Sequence, residues 1–149
     1  MHKAQQGFTM IELVMVIVIL GILAAVAMPR FYDLQTDARK AKADGIFGTV
    51  RSASAIAHSA YLVSGSASTA SVTIEAQTVN LVNGYPSSED IDVAANISAT
   101  NDNVTITEGA TSTTIDIGGA TTAANCRITY TEAASAGAAP TIAVVKTGC

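Results

Sequence analysis

The chain has 149 residues, of which 49% are hydrophobic and 13% charged, with no tryptophan and a formal net charge of −4. That length allows one domain or two, and the apolar content excludes a disordered chain. The negative balance argues against a nucleic-acid binder, and two cysteines with two histidines are poorly spaced for the common zinc sites.

Charge is unevenly placed along the chain. Residues 1–51 hold Lys3, Arg30, Arg39, Lys40, Lys42 and Arg51, six of the eight basic residues, against four acids. Residues 52–149 hold only Arg127 and Lys146 against eight acids, a balance of −6. A basic N-terminal part and an acidic C-terminal part can attract copies of the same chain in a staggered assembly. A plainer reading of the basic run in DARKAKAD is the wet face of a helix.

The first element is apolar. After the short polar stretch MHKAQQG comes FTMIELVMVIVILGILAAVAMPRF, in which Leu13 to Met28 carries no charge and Gly21 is the one non-hydrophobic residue. Phe8 to Met28 makes a helix of about 31 Å, long enough to cross a hydrocarbon core. Lys3 holds the preceding end in the cytoplasm by the positive-inside tendency, so residues 30–149 are expected outside it. A plain transmembrane anchor fits this length. A secretory signal also fits, because Ala25-Val26-Ala27 offers a small-x-small cleavage site. Neither accounts for Glu12. An acid deep in a membrane helix costs roughly 2.5–3.5 kcal/mol on insertion scales, which makes it a functional candidate whose partner is a cation. An interfacial Glu reaching up to water is the plainer alternative.

Gly7-Phe8-Thr9-Met10-Ile11-Glu12-Leu13, followed by an apolar helix and Pro29, resembles the class III signal of type IVa pilins. The resemblance implies that a prepilin peptidase cuts after Gly7 and methylates the new N-terminal Phe8. It also implies that Glu12 pairs with the N-terminal amine of a neighbouring subunit during assembly. The pairing is physically sensible, since an amine and a carboxylate are each costly in an apolar filament core and tolerable together.

A second helical pattern follows. Phe31, Leu34, Ala38 and Ala41, then Ile46, Val50, Ala53, Ala57 and Ala60, recur at three- and four-residue steps, so Phe31 to about Leu62 reads as amphipathic. One helix from Phe8 would be roughly 80 Å long, so its first half must protrude into lipid and later into a bundle of copies. Pro29 lacks an N–H and Gly21 weakens the same stretch. Filaments of similar pilins lose helical order between a matching glycine and proline, which implies an extension of Gly21 to Met28 on assembly; a modest kink near Ala25 is the alternative.

Ser64-Gly65-Ser66 ends the helix. Alternating runs then predict strands at Ser71–Ala76, Thr78–Val82, Asn103–Thr107, Thr113–Ile117, Cys126–Thr131 and Thr141–Lys146. Turn signals at Asn83-Gly84-Tyr85-Pro86, Glu108-Gly109, Gly118-Gly119 and Ala136-Gly137 separate them. The expected fold is α+β: a long N-terminal helix with a protruding and an amphipathic half, packed on a C-terminal antiparallel sheet of four to six strands, the type IV pilin arrangement. The organisation is read as a leader (1–7), an apolar helix (8–29), an amphipathic helix (30–62) and a β-rich domain (63–149). The alanine-rich loops Ala120–Ala124 and Ala133–Ala139 are expected at the surface.

In an exported domain Cys126 and Cys149 are expected to pair, and a C-terminal disulfide loop is also what type IV pilins carry. The segments Val79–Pro86 and Cys126–Glu132, with the terminal Thr147-Gly148-Cys149, are similar to pilins of the mannose-sensitive haemagglutinin type. No catalytic constellation is found. His58 lacks an orienting acid nearby and reads as a surface or half-buried helix residue. Asn101-Asp102-Asn103 with Glu108, and Glu89-Asp90 with Asp92, have a calcium-like density of oxygens without EF-hand spacing, and read as solvated loops. Asn96-Ile97-Ser98 and Asn103-Val104-Thr105 match the glycosylation pattern, a frequent accident in such composition. No metal and no cofactor are expected.

The resemblance thus implies a non-enzymatic filament subunit, a homopolymer for surface attachment, used in this family also for motility or biofilm formation. Its implied partners are its own copies, the prepilin peptidase and an inner-membrane assembly machinery, with no nucleic acid. It would reside in the inner membrane and then in an extracellular pilus. A major pseudopilin of a type II secretion system and a monomeric membrane-anchored adhesin remain the competing readings.

Overall fold

The computed structural model describes residues 8–65 and 70–149, so the expected leader, including Gly7, lies outside the described residues. The elements in order are one long helix α1 (Met10–Val63), strands β1 (Ser71–Ile74), β2 (Gln77–Val82) and β3 (Tyr85–Pro86), and a 3₁₀ turn (Ser88–Asp90) running into the short helix α2 (Ile91–Ala94). Strands β4 (Val104–Glu108) and β5 (Ser112–Ile117), a 3₁₀ turn (Ala123–Asn125), β6 (Arg127–Thr131) and β7 (Thr141–Val145) follow. The arrangement is α+β, and the chain divides into two compact units, one ending at Thr36 and the other spanning Asp37–Cys149.

The first unit consists of the apolar part of α1. Over Met10–Ala27 the mean hydropathy is 2.9 and no residue is buried, which makes this helix long and apolar enough to cross a membrane. α1 is helical at both Gly21 and Pro29.

The second unit holds the core. Ala43, Val50, Ala53 and Ala57 form a buried stripe at steps of seven, three and four, the period of one helix face. Small side chains on that stripe bring the helix close to the sheet. Leu34, Ala38 and Ala41, which continue the stripe in sequence, are exposed, so burial begins at Ala43. β5 alternates with Thr113, Ile115 and Ile117 inward, and β6 with Ile128 and Tyr130 inward. These residues, with Ile91, Ala95 and Val104, pack on Ala43, Val50 and Ala53.

The strands divide between two antiparallel sheets, β1-β2-β3 and β4-β5-β6-β7. Asn83 and Gly84 form a two-residue turn with φ of 54° and 86° between β2 and β3, the backbone that an Asn-Gly hairpin favours. Tyr85 and Pro86, expected only as part of that turn, form β3. The three-stranded sheet has its own small core, in which Ala57, Val72 and Val79 meet Ala60, Tyr61, Ile74 and Leu81.

Polar bonds join the two sheets. The buried Tyr130 hydroxyl on β6 donates to the Pro86 carbonyl at 2.6 Å, and burial pushes this phenol above its ordinary pKa. Ser88 donates its hydroxyl to Gly109 at 2.8 Å and its amide to Glu132 at 3.0 Å, while the buried Thr113 hydroxyl donates to the Ser88 carbonyl. Asn83 donates to the Ala133 carbonyl at 2.7 Å. Ala133 is therefore buried, contrary to the expectation of a surface loop, because its backbone closes this seam.

Two outcomes test this packing. A Cβ at Gly84 would lie 2.6 Å from the Tyr61 ring, at a φ that side chains rarely adopt, so Gly84→Ala should lower stability by about 1–3 kcal/mol in thermal unfolding. Burial, with like charge from Asp90, raises the Asp92 carboxyl above its usual 3.8, and its Oδ1 has no hydrogen-bond partner among the described residues. A raised folded pKa means that ionising Asp92 opposes folding as pH climbs through that value. Asp92→Asn should therefore stabilise the chain at pH 7, an advantage that disappears below pH 3.8 in unfolding scans.

Candidate functional site

The N-terminal end of α1 carries the candidate residues. Thr9 precedes the helix, and Glu12 lies in its first turn. The Thr9 amide donates to Glu12 Oε2 at 2.8 Å and the Thr9 hydroxyl donates to the same oxygen at 2.7 Å. The Glu12 amide returns a bond to Thr9 Oγ1 at 3.4 Å, and the Leu13 amide donates to the Thr9 carbonyl at 3.2 Å. This reciprocal pattern is a capping box, written in the sequence as Thr-x-x-Glu. It satisfies first-turn amides that would otherwise be unpaired and places a carboxylate at the positive end of the helix dipole. Glu12 thus caps its own helix through Thr9, and the three-residue spacing between them is the sequence signal of that cap.

Among the described residues, the side chains that surround this cap are apolar and uncovered. Phe8 is 87% exposed, and Met10, Ile11, Leu13, Val14 and Met15 are exposed on all sides of the helix. A helix that is hydrophobic all round is made for an apolar environment. A Cβ at Gly21 would meet nothing within 4 Å, so no packing within this chain requires a glycine there.

At the other end of the sequence Cys126 and Cys149 form a disulfide with a Cα–Cα distance of 4.8 Å, and both are buried. The second unit's part of α1 holds this region with its basic residues. Arg39 Nε donates to the Cys149 carbonyl, and Lys42 Nζ donates to the Asp102 carbonyl and, at 3.2 Å, to that of Asn103. Lys146 Nζ meets both Asp44 oxygens at 2.8 Å. Across β5 and β6, Arg127 grips Asp116 in a two-pronged pair at 2.7 and 2.9 Å, and this hydrogen-bonded carboxylate raises the guanidinium pKa. DARKAKAD is thus more than a wet face, since Arg39 and Lys42 latch the β-rich part.

The remaining candidates are engaged in local structure. His58 Nδ1 donates to the Gly84 carbonyl at 2.8 Å, and its ring stacks on Tyr85 with centroids 4.0 Å apart and planes 2° apart. Asp102 accepts from the Ser98 amide at 2.8 Å and Asp90 from the Asn80 amide at 2.7 Å. These carboxylates cap backbone amides, and among the described residues no group of three or more His, Cys, Asp or Glu is placed to hold a metal.

The prokaryotic N-terminal methylation motif matches residues 2–28. The chain is 58% identical over 52 residues to the type IV narrow pilus major component PilA5 of Thermus thermophilus, covering 35% of this chain and 45% of that protein. It is 51% identical over 43 residues to the type IV major pilin PilE1 of Neisseria gonorrhoeae, 29% of this chain and 26% of that one. A fimbrial protein of Pseudomonas aeruginosa is 61% identical over 31 residues, 21% and 20% of the respective chains. The chain therefore spans less than half the length of these relatives. No solved structure matches it.

Removing the disulfide with reductant, or by Cys126→Ser with Cys149→Ser, frees a loop that the bond closes over a separation of 23 residues. The chain-entropy estimate gives a loss of about 3 kcal/mol. Thermal unfolding of the detergent-solubilised chain should show a Tm lower by on the order of 10 °C.

Proposed function

We propose that this chain, whose N-terminal segment is that of a type IV pilin, is a structural subunit that polymerises through that segment into a surface filament used for attachment. The observation that carries this reading is an apolar helix, exposed on every side, that opens on a hydrogen-bonded carboxylate. A bilayer can cover such a helix before assembly, and copies of itself can cover it afterwards.

In this reading residues 1–7 are the leader, the cut falls after Gly7, and Phe8 becomes the methylated N-terminus. Residues 8–29 form the anchor and later the filament core, 30–62 the helix that carries the β-rich domain, and 63–149 the coat closed by the disulfide loop. The Phe8 amine of one copy meets the Glu12 carboxylate of another. In the capping box Oε2 takes both Thr9 bonds, while Oε1 takes no hydrogen bond from the described residues and so remains for that amine. Gly21 and Pro29 are the positions at which the helix yields on assembly. The partners are further copies, a prepilin peptidase and an inner-membrane assembly machinery, and the subunit passes from that membrane to the cell surface.

Mass spectrometry of protein sheared from cells should find a mature chain beginning at N-methylated Phe8; a chain beginning at Met28 would instead mean an ordinary secreted domain. Glu12→Ala should leave cleavage largely intact and strongly reduce sheared filament. Abundant normal filaments from that variant would defeat the pairing.

A further inference from the structure

Cations in the second unit are almost all engaged within it. Arg127 and Lys146 are paired with Asp116 and Asp44, Lys40 lies 3.8 Å from Asp37, and Arg39 and Lys42 donate to backbone carbonyls. Arg51 is the exception: it alone among the described Lys and Arg side chains has neither an ion pair nor a hydrogen bond, and it is exposed. It stands in a groove of about 430 Å³ between α1 and the segment around Pro140, lined also by Ser54, His58, Pro140 and Ile142. Phe47 extends the same groove by one turn. Phe47, Arg51, Ser54 and His58 follow one another at helical spacing, so a single face of α1 forms one wall and the chain around Pro140 and Ile142 the other. No acid lines either pocket.

Exposed acids are left over in the same unit. Glu108 ends β4 at a tight connection to β5, and Glu89 lies in the 3₁₀ turn beside it, held there by the bond from Ser88 to the Gly109 carbonyl. Neither carboxylate has an ion pair or hydrogen bond among the described residues, and both are exposed. Resting on the filament reading, we propose that the Arg51 groove is a docking site for the β4–β5 connection of a second copy of this chain, with Glu108 as the carboxylate that Arg51 receives. A guanidinium favours a planar carboxylate over other acceptors, and the apolar walls of Phe47, Pro140 and Ile142 strengthen the pair by excluding water. The contact joins two different patches of one surface. It is therefore heterologous, and repetition of such a contact builds an open polymer when its rotation does not close.

The test is charge reversal in the full-length chain, with sheared filament and total chain both measured. Arg51→Glu and Glu108→Arg should each lower recovered filament about tenfold at unchanged chain level, and the two together should restore most of it. Arg51→Glu combined with Glu75→Arg, a reversal at an exposed acid in the turn between β1 and β2, should not restore it. A second readout stands even if a reversal lowers expression: Arg51→Cys with Glu108→Cys should give covalent multimers from filaments on non-reducing gels, and Arg51→Cys alone should give none. Normal filament yield from Arg51→Glu, failure of the paired reversal to rescue, rescue by Glu75→Arg, or only monomers from the double cysteine chain would each overturn the docking site. Those results leave the filament reading in place, whereas absence of filaments from the unaltered chain is the failure of that reading itself.

Discussion

Everything in this molecule depends on the need to cover the apolar face of α1. Thirteen large aliphatic or methionine side chains of Met10–Ala27 are exposed around the whole circumference of the helix. At about 1.5–3 kcal/mol for each such side chain kept from water, the driving force is on the order of 20 kcal/mol or more. That exceeds the 5–15 kcal/mol or so that holds a typical domain folded. A helix of this kind is suited to lipid or to packing against other apolar helices. Lipid tails are as apolar as leucine, so exchanging one cover for the other changes little free energy. In the proposed filament, transfer from membrane to bundle therefore costs little, and the selection of a partner falls to the few polar groups at the helix end.

Glu12 is the polar group at that end, and its geometry explains how it is tolerated. A bare carboxylate in hydrocarbon is costly, but Glu12 receives two hydrogen bonds from Thr9 and lies at the positive end of the helix dipole. The same bonds tie the carboxylate to the Thr9 backbone and hydroxyl instead of leaving it free to turn. A preorganised acceptor gives up less side-chain entropy when a cation arrives. Thr9 thus supports the folding of the helix and, in the proposed filament, the readiness of its acid, through its amide and its hydroxyl.

Much of the β-rich unit was legible because its periodicities are local. β1, β2 and β4 to β7 lie within a residue or two of the alternating runs, and Asn83-Gly84 makes the hairpin that its composition favours. The buried stripe from Val50 to Ala57 was visible at helical spacing. What escaped notice depends on contacts between distant segments. The division into two sheets turns on Tyr130 meeting Pro86 and on Ser88 serving Gly109, Glu132 and Thr113, none of which a local pattern records. Ile91–Ala94 has only one helical turn, too short for a period to be read, so α2 was missed between strands. Ala133 was misjudged because a small residue looks alike in a loop or a core. At the helix end, Glu12 stood out by its cost in an apolar run, whereas Thr9 drew no notice because a threonine there is cheap.

Formal charge also proves a poor guide to the surface. The basic N-terminal and acidic C-terminal halves suggest a simple dipole between copies, yet Arg39 and Lys42 reach across to carbonyls of the acidic half within the same chain. Lys146 returns the gesture by pairing with Asp44 on α1. Most of the asymmetry in sequence is thus consumed in folding, where the pairs lock α1 to the segments around Asp102 and Cys149. Among the described residues, what the folded unit presents outward is narrower: one unpaired guanidinium, Arg51, in a groove, and exposed carboxylates that include Glu108 at a strand connection and Glu89 in the turn beside it. Long-range attraction between exposed charges fades within about 8 Å at physiological salt, whereas a pair shielded by apolar walls does not. In the proposed filament, residues that remain unpaired after folding therefore matter more for register between copies than the net balance of either half.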